Sequence, residues 1–163
     1  MKKGALCDPL LMRGEINRVF ATNTVDMAVL ATQVAVSIAG KTNVLLVDFG
    51  TTGEMRRFRY SYESGEPYVF PDTLFFSRAG EPVKGSLRNK ELCDIILAEL
   101  SDDISIDTVI VNNTSSLPYS DNSNDSEDDF ILKMITFARK KKYSLLLCSW
   151  LRSEEPGNSK PVK

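Results

Sequence analysis

A three-layer α/β fold, with a mainly parallel sheet between helices, is what the sequence predicts, and three observations predict it. Leu-rich and β-branched runs recur at NVLLVDF, DTVIV and SLLLCSWL. Strands without polar alternation are those covered on both faces, as in a parallel sheet. Helical spacing separates these runs, so the order strand, helix, strand, helix, strand, helix, strand implies right-handed crossovers and helices on both faces. With 163 residues, 42% of them apolar, the chain is sized to close one such core.

Taken in order, Glu15 to Phe20 reads as a short strand and Val25 to Ala39 as a helix that is apolar nearly all round, hence buried on most faces. Asn43 to Phe49 is the next buried strand, and Gly50-Thr51-Thr52-Gly53 gives it a sharp exit. Arg56, Arg57 and Arg59 follow among aromatics. A stretch punctuated by Gly and Pro then runs from Gly65 to Gly85, with one short strand expected near Tyr68-Val69-Phe70. Leu87, Leu92, Ile95, Ile96 and Leu100 place a helix over Ser86 to Leu100, with Ser86 as its N-cap. Asp107 to Val111 is a buried strand, and the polar, acidic segment from Ser115 to Asp129 is a loop. Ser126 with Asp129 signals the start of a helix that runs to about Lys142. The basic end of that helix, Arg139 to Lys142, suits the negative pole of its dipole. Ser144 to Leu151 is the last strand, and EEPGNSKPVK is a disordered tail by composition. The expected division is an N-terminal extension over 1–13, a core over 14–151 and a flexible basic tail over 152–163.

Composition narrows the chemistry. There is no His, which removes imidazole bases and His ligands. Cys7, Cys93 and Cys148 form no metal-spaced cluster, and two of them stand in apolar surroundings, so an intracellular reducing compartment is expected. The N-terminal MKKGALCDPLLMRG is broken by Asp8, Pro9 and Arg13, and no 18-residue apolar run occurs, so no membrane association is expected. Net charge is −2, yet residues 120–129 carry five acids alone, and residues 130–163 carry eight bases against two acids. The last third favours either an acidic or polyanionic partner or simple solvation.

Ligands of parallel sheets sit beyond the carboxyl ends of the strands, here the loops after Phe20, Phe49, Val111 and Leu151. The first has the strand-loop-helix frame of a phosphate-binding loop, which needs Gly-x-x-x-x-Gly-Lys-Ser/Thr for backbone wrapping, phosphate charge and magnesium. Those four places hold Ala21, Asp26, Met27 and Ala28. A carboxylate about 4 Å from a phosphate oxygen repels by roughly 4 kcal/mol near a protein surface. Nucleotide affinity at this loop is therefore expected to be abolished.

The order GEINRVF, loop, VLATQVAVSIA, VLLVDFG, IDTVIVNNTSSL and YSLLLCSWLRSE resembles the core of the RecA-type recombinases, and most of all their eukaryotic paralogues, the accessory subunits of homologous recombination. The resemblance covers about Gly14 to Glu155 and implies a RecA-like ATPase core, truncated at its final strands. It also places a degenerate second nucleotide motif at Asn112, where the family has an acid that organises magnesium. The family's catalytic glutamate falls on Gly50 and its sensor glutamine near Trp150. Together these departures imply a pseudo-ATPase with no catalytic residue, no metal and no cofactor of its own, ATP and magnesium being held by a partner subunit.

The resemblance further implies a sister paralogue as partner, contact with the recombinase filament on single-stranded DNA, a role in DNA repair, and the nucleus as location. The unfinished sheet edge is expected to need an obligate partner. The first DNA loop of the family would be Tyr119 to Asp129, five carboxylates and no base, a poor phosphate surface. The second would fall on Arg152, Lys160 and Lys163. Phe76-Ser77-Arg78-Ala79 matches the Phe-x-x-Ala docking segment of recombinases, with Phe76 and Ala79 as anchors; with eight Phe in the chain such a match arises readily by chance, and a strand edge is the other reading. Trp150, Tyr60, Tyr62, Tyr68, Phe70, Phe75 and Phe76 are core or an exposed docking face. Two other functions stay open: a structural α/β adaptor of an unrelated complex, and an active nucleotide hydrolase working through Asp48 and Lys41.

Overall fold

The computed structural model describes residues 5–7, 10–22, 24–49, 70–80, 89–116 and 126–150. In chain order these form β1 (Ala5–Cys7), β2 (Leu11–Met12), β3 (Ile16–Ala21), α1 (Thr24–Ala39), β4 (Asn43–Asp48), β5 (Leu74–Phe76), α2 (Asn89–Asp102), β6 (Ile106–Asn112), α3 (Glu127–Lys141) and β7 (Ser144–Trp150). β1 and β2 pair as an antiparallel hairpin. The other five strands make one sheet in the order β3-β7-β6-β4-β5, and every neighbour pair in it is parallel.

Register explains why these strands lack polar alternation. Val44, Leu46, Ile110, Leu146 and Cys148 form one buried cluster with Met27, Ala31, Val34, Ala35 and Ile38 of α1. The alternate residues Leu45, Val47, Val109, Val111, Leu145 and Leu147 form the other, with Leu92, Ile96 and Leu100 of α2 and Phe130, Met134 and Ala138 of α3. Each large side chain so enclosed contributes roughly 1.5–3 kcal/mol relative to exposure, which holds α1 on one face and α2 with α3 on the other. β1 and β2 join this core, because Leu6 and Leu11 are fully buried in the α1 cluster.

The ends of the elements have local causes. Ser126 Oγ accepts from Asp129 N at 3.2 Å and Asp129 Oδ2 accepts from Ser126 N at 3.4 Å, the capping box the sequence signals. α3 stops at Lys142, whose left-handed backbone (φ 60°) lets its N–H reach the Ala138 carbonyl. Gly14, at φ 74°, makes the turn into β3 and donates its N–H to Ser144 Oγ at 2.8 Å; a side chain would strain that backbone. The expected N-cap Ser86 and the residues Tyr68 and Val69 lie outside the described residues. Among the described residues of that region Phe70 is buried outside any strand, and β5 is the strand.

A close approach fastens the end of β4. The turn at Arg78–Gly80 brings Gly80 so near that a Cβ there would sit 2.3 Å from the Asp48 carbonyl oxygen. Only glycine fits without displacing β4. Replacing Gly80 by Ala is expected to destabilise the fold by about 2–3 kcal/mol through overpacking, read as a lower urea midpoint at unchanged slope.

Candidate functional site

Four parallel strands deliver their carboxyl ends to one pole: β3 at Ala21, β4 at Asp48, β6 at Asn112 and β7 at Trp150. Asp48 and Asn112 are direct partners across β4 and β6, and Asn112 faces Cys148 across β6 and β7. Asn112 Nδ2 donates to Asp48 Oδ1 at 3.1 Å, and both residues are 1% exposed. The amide orientation follows from chemistry, since a carboxylate only accepts. It leaves Asn112 Oδ1, together with Asn113 Oδ1, buried without a hydrogen-bond partner. Asn113 adopts a left-handed φ of 62°, a conformation Asn tolerates better than most residues.

The loop above this pair is shorter than its sequence frame implies. β3 ends at Ala21 and α1 begins at Thr24, leaving only Thr22 and Asn23 between them. A phosphate loop keeps its backbone N–H groups free over several residues before the helix starts. Here Asp26, Met27 and Ala28 are already helical. Met27 stands where the family's lysine would reach out, and it is 1% exposed, in one cluster with Leu6, Leu11 and Cys148. The position is directed into the core. These residues do not fit a triphosphate: no glycine frees the backbone between Ala21 and Ala28, Asp26 adds a carboxylate, and the lysine position is held by an interior Met27.

Burial governs the nearby thiols. Cys148 is pushed up to about 12 by desolvation and then by the Asp48 carboxylate, and Cys93, under α3, is raised to about 11 mainly by desolvation. Among the described residues no three His, Cys, Asp or Glu converge as a metal site.

On the other face of the same pole lies a network with no sequence signature. Arg18 of β3 donates to Ser149 Oγ at 2.9 Å and to Glu127 Oε1 at 3.1 Å. Thr114 shares a hydrogen bond with Ser149 at 2.7 Å and donates to Glu127 at 2.7 Å. The Arg18 guanidinium also lies 4.6 Å from the Phe20 ring centroid, and that ring is half exposed. The network ties β3, β7 and the start of α3 together; these residues are far apart in sequence, so only the topology reveals it.

Other expected site residues fall differently. Of the expected docking residues, Phe76 lies in β5 against Phe70, ring centroids 5.1 Å apart, and Ala79 is 3% exposed within the core. Between them Ser77 Oγ and Arg78 N both donate to Glu99, at 2.5 and 2.8 Å. The segment serves its own sheet, and its apolar anchors are already used. β5 is an edge strand of the sheet, Phe70 is in the core, and Phe75 and Phe76 are partly buried against it. Lys41 donates to the Leu6 carbonyl at 3.1 Å at the start of β4, roughly 20 Å along the strand from Asp48, so the two do not meet. Of the acidic loop Tyr119 to Asp129, residues 126–129 open α3 and the rest lie outside the described residues, as do Gly50, Arg152, Lys160 and Lys163.

No protein-family model matches the chain, and no curated protein matches it. Among solved structures it is similar to a DnaB-like replicative helicase determined for its interactions with primase. The TM-score is 0.61 at 10% identity, over 93% of this chain and 44% of that one. The chain therefore spans less than half the length of that helicase. At this identity the likeness concerns the fold, and the fold is the RecA-like α/β core.

Two measurements probe the pole. Met27→Lys is expected not to create nucleotide affinity but to cost several kcal/mol, because it buries an unpaired ammonium; urea unfolding reads the loss. Thiols whose folded pKa is raised hold their protons longer in the native state, so their contribution to stability is intact below the ordinary thiol pKa of about 8.5 and is lost as pH rises through 11–12. Unfolding free energy should thus decline above about pH 8.5, and site-resolved alkylation at pH 8 should spare Cys93 and Cys148 until urea unfolds the chain.

Proposed function

We propose that this chain is a non-catalytic RecA-like subunit that acts by binding: it pairs with a sister RecA-like subunit and assists recombinase filaments on single-stranded DNA in homologous-recombination repair, in the nucleus. The observation that carries the non-catalytic part is the early start of α1 with Met27 buried behind it. The hydrogen bond between Asn112 and Asp48 supports it, since a neutral amide stands where the family's magnesium-organising acid would be. ATP and magnesium, where the assembly needs them, belong to the partner.

The recombination part rests on the resemblance of the ordered strand and helix segments to recombinase paralogues and on the RecA-like fold. The free edge of the sheet supports the pairing. Among the described strands β3 hydrogen-bonds only to β7, and it carries the half-exposed Phe20. Parallel sheets are otherwise covered structures, so a partner strand or helix along β3 would complete this one.

The test is capture of a purified recombinase and of candidate RecA-like partners, followed by the lifetime of recombinase filaments on single-stranded DNA with and without the chain. The expected result is a stable complex with one RecA-like partner and an altered filament lifetime that needs the partner's ATP site. A monomer that captures no recombinase or RecA-like partner and leaves filaments unchanged would move the assignment to the structural adaptor.

A further inference from the structure

α3 ends in four consecutive cations, Arg139, Lys140, Lys141 and Lys142, all exposed. A helix carboxyl terminus carries the equivalent of about half a negative charge. One cation answers that charge. The backbone end is also closed without side-chain help, since the N–H groups of Lys142 and Tyr143 both reach the Ala138 carbonyl, the latter at 3.0 Å. The stacked rings of Phe137 and Tyr143, 5.5 Å apart and 18° from parallel, hold the turn into β7. Three cations thus exceed any need of the helix itself.

None of the four forms an ion pair among the described residues, where the ion pairs are those of Arg13, Arg18 and Arg78. The described acids at the same pole of the sheet are Glu15 before β3, Asp72 before β5, Asp102 and Asp103 at the end of α2, and Asp107 in β6, and none of them is ion-paired with the four cations. Asp107 is 3.9 Å from Arg13, and Asp103 accepts from Ser105. Lys133 is exposed on the same side of α3, two turns or roughly 10 Å earlier. The opposite side of α3, Phe130, Ile131, Met134 and Ala138, is committed to the core, and the one large apolar side chain that α3 leaves well exposed, Leu132, is too little to enter a lipid surface. What remains is a rigid, unpaired basic ridge, and its chemistry complements a chain of phosphates.

We infer that the carboxyl end of α3, from Arg139 to Lys142 with Lys133, is a binding site for nucleic-acid backbone phosphates, at the pole opposite the strand tips. This goes beyond the proposed function by giving the subunit a nucleic-acid contact of its own, away from the loops that follow the sheet's carboxyl ends. The charge argument does not depend on the recombination reading. Contact through four phosphates gives single-strand binding that weakens about 50-fold between 50 and 200 mM salt, from a slope of about 0.7 per phosphate.

The experiment is fluorescence anisotropy of the full chain with an oligothymidine and with a duplex, across salt, for three proteins: the native chain, Lys140→Gln with Lys141→Gln, and Arg152→Gln with Lys160→Gln and Lys163→Gln. Thermal melts establish that each variant folds, and recombinase capture is measured in parallel. The α3 variant is expected to lose more than tenfold in affinity at 50 mM salt and about 1.4 in salt slope, with capture unchanged; the tail variant should bind as the native chain does. Unchanged binding by the α3 variant, loss confined to the tail variant, or no binding of either oligonucleotide by the native chain overturns the inference. Loss of capture in the α3 variant with DNA binding intact also overturns it, by assigning the ridge to a protein. If the α3 variant loses DNA binding while no recombinase is captured by any form, the ridge stands and the recombination reading falls.

Discussion

The constraint on which the rest of the strand-tip pole depends is the connection of two residues between β3 and α1. A longer connection would leave backbone N–H groups free to gather around an anion, which is how the RecA-like frame ordinarily earns its chemistry. With the helix already formed at Thr24, only the N–H groups of its first turn remain at that end, and no glycine-bearing loop precedes them to wrap a triphosphate. Met27 then points into the cluster of Leu6, Leu11 and Cys148, and its burial reinforces the early helix start, because unwinding the first turn would expose a side chain that contributes roughly 1.5–3 kcal/mol.

The opposite wall of the same crevice follows suit. In-register pairing of β4 with β6 sets Asp48 beside Asn112, and a single hydrogen bond satisfies one oxygen of the carboxylate with an uncharged neighbour. A second acid at position 112 would face Asp48 at this separation with repulsion of several kcal/mol, unless a cation were held between the two. The amide avoids that repulsion and donates to Asp48 instead. Gly80, pressed against the Asp48 backbone, keeps that strand end in place, and the network of Arg18, Thr114, Glu127 and Ser149 does the same on the other face. These contacts hold the strand ends of the pole in place.

How far the sequence disclosed this differs from element to element. β4, β6 and β7 were legible because burial on both faces demands unbroken runs of Leu, Ile and Val, and such runs have few other uses. α3 was legible at both ends through Ser126 with Asp129 and through its basic finish. The hairpin β1–β2 was not, since its strands of three and two residues are too short to show a period and are separated by Asp8 and Pro9. β5 was missed for the same reason, three residues inside a stretch punctuated by Gly and Pro. At the candidate site, the chemical poverty of Ala21, Asp26, Met27, Ala28 and Asn112 could be read directly. The early helix start could not, because the frame was taken from a motif whose loop is longer. Nor could the contact of Asn112 with Asp48, 64 positions apart, be seen before strand order and register were known. The letters Phe-x-x-Ala carry no information about burial, and Ala79 is interior.

The most direct measurement of the central claim is a titration of the full chain with ATP and magnesium, followed through the backbone amide resonances of residues 21–28 and the side-chain amide of Asn112. A closed phosphate loop predicts that these signals stay in place up to millimolar nucleotide. Saturable shifts confined to these residues would show a triphosphate seated at the start of α1 and would contradict the account.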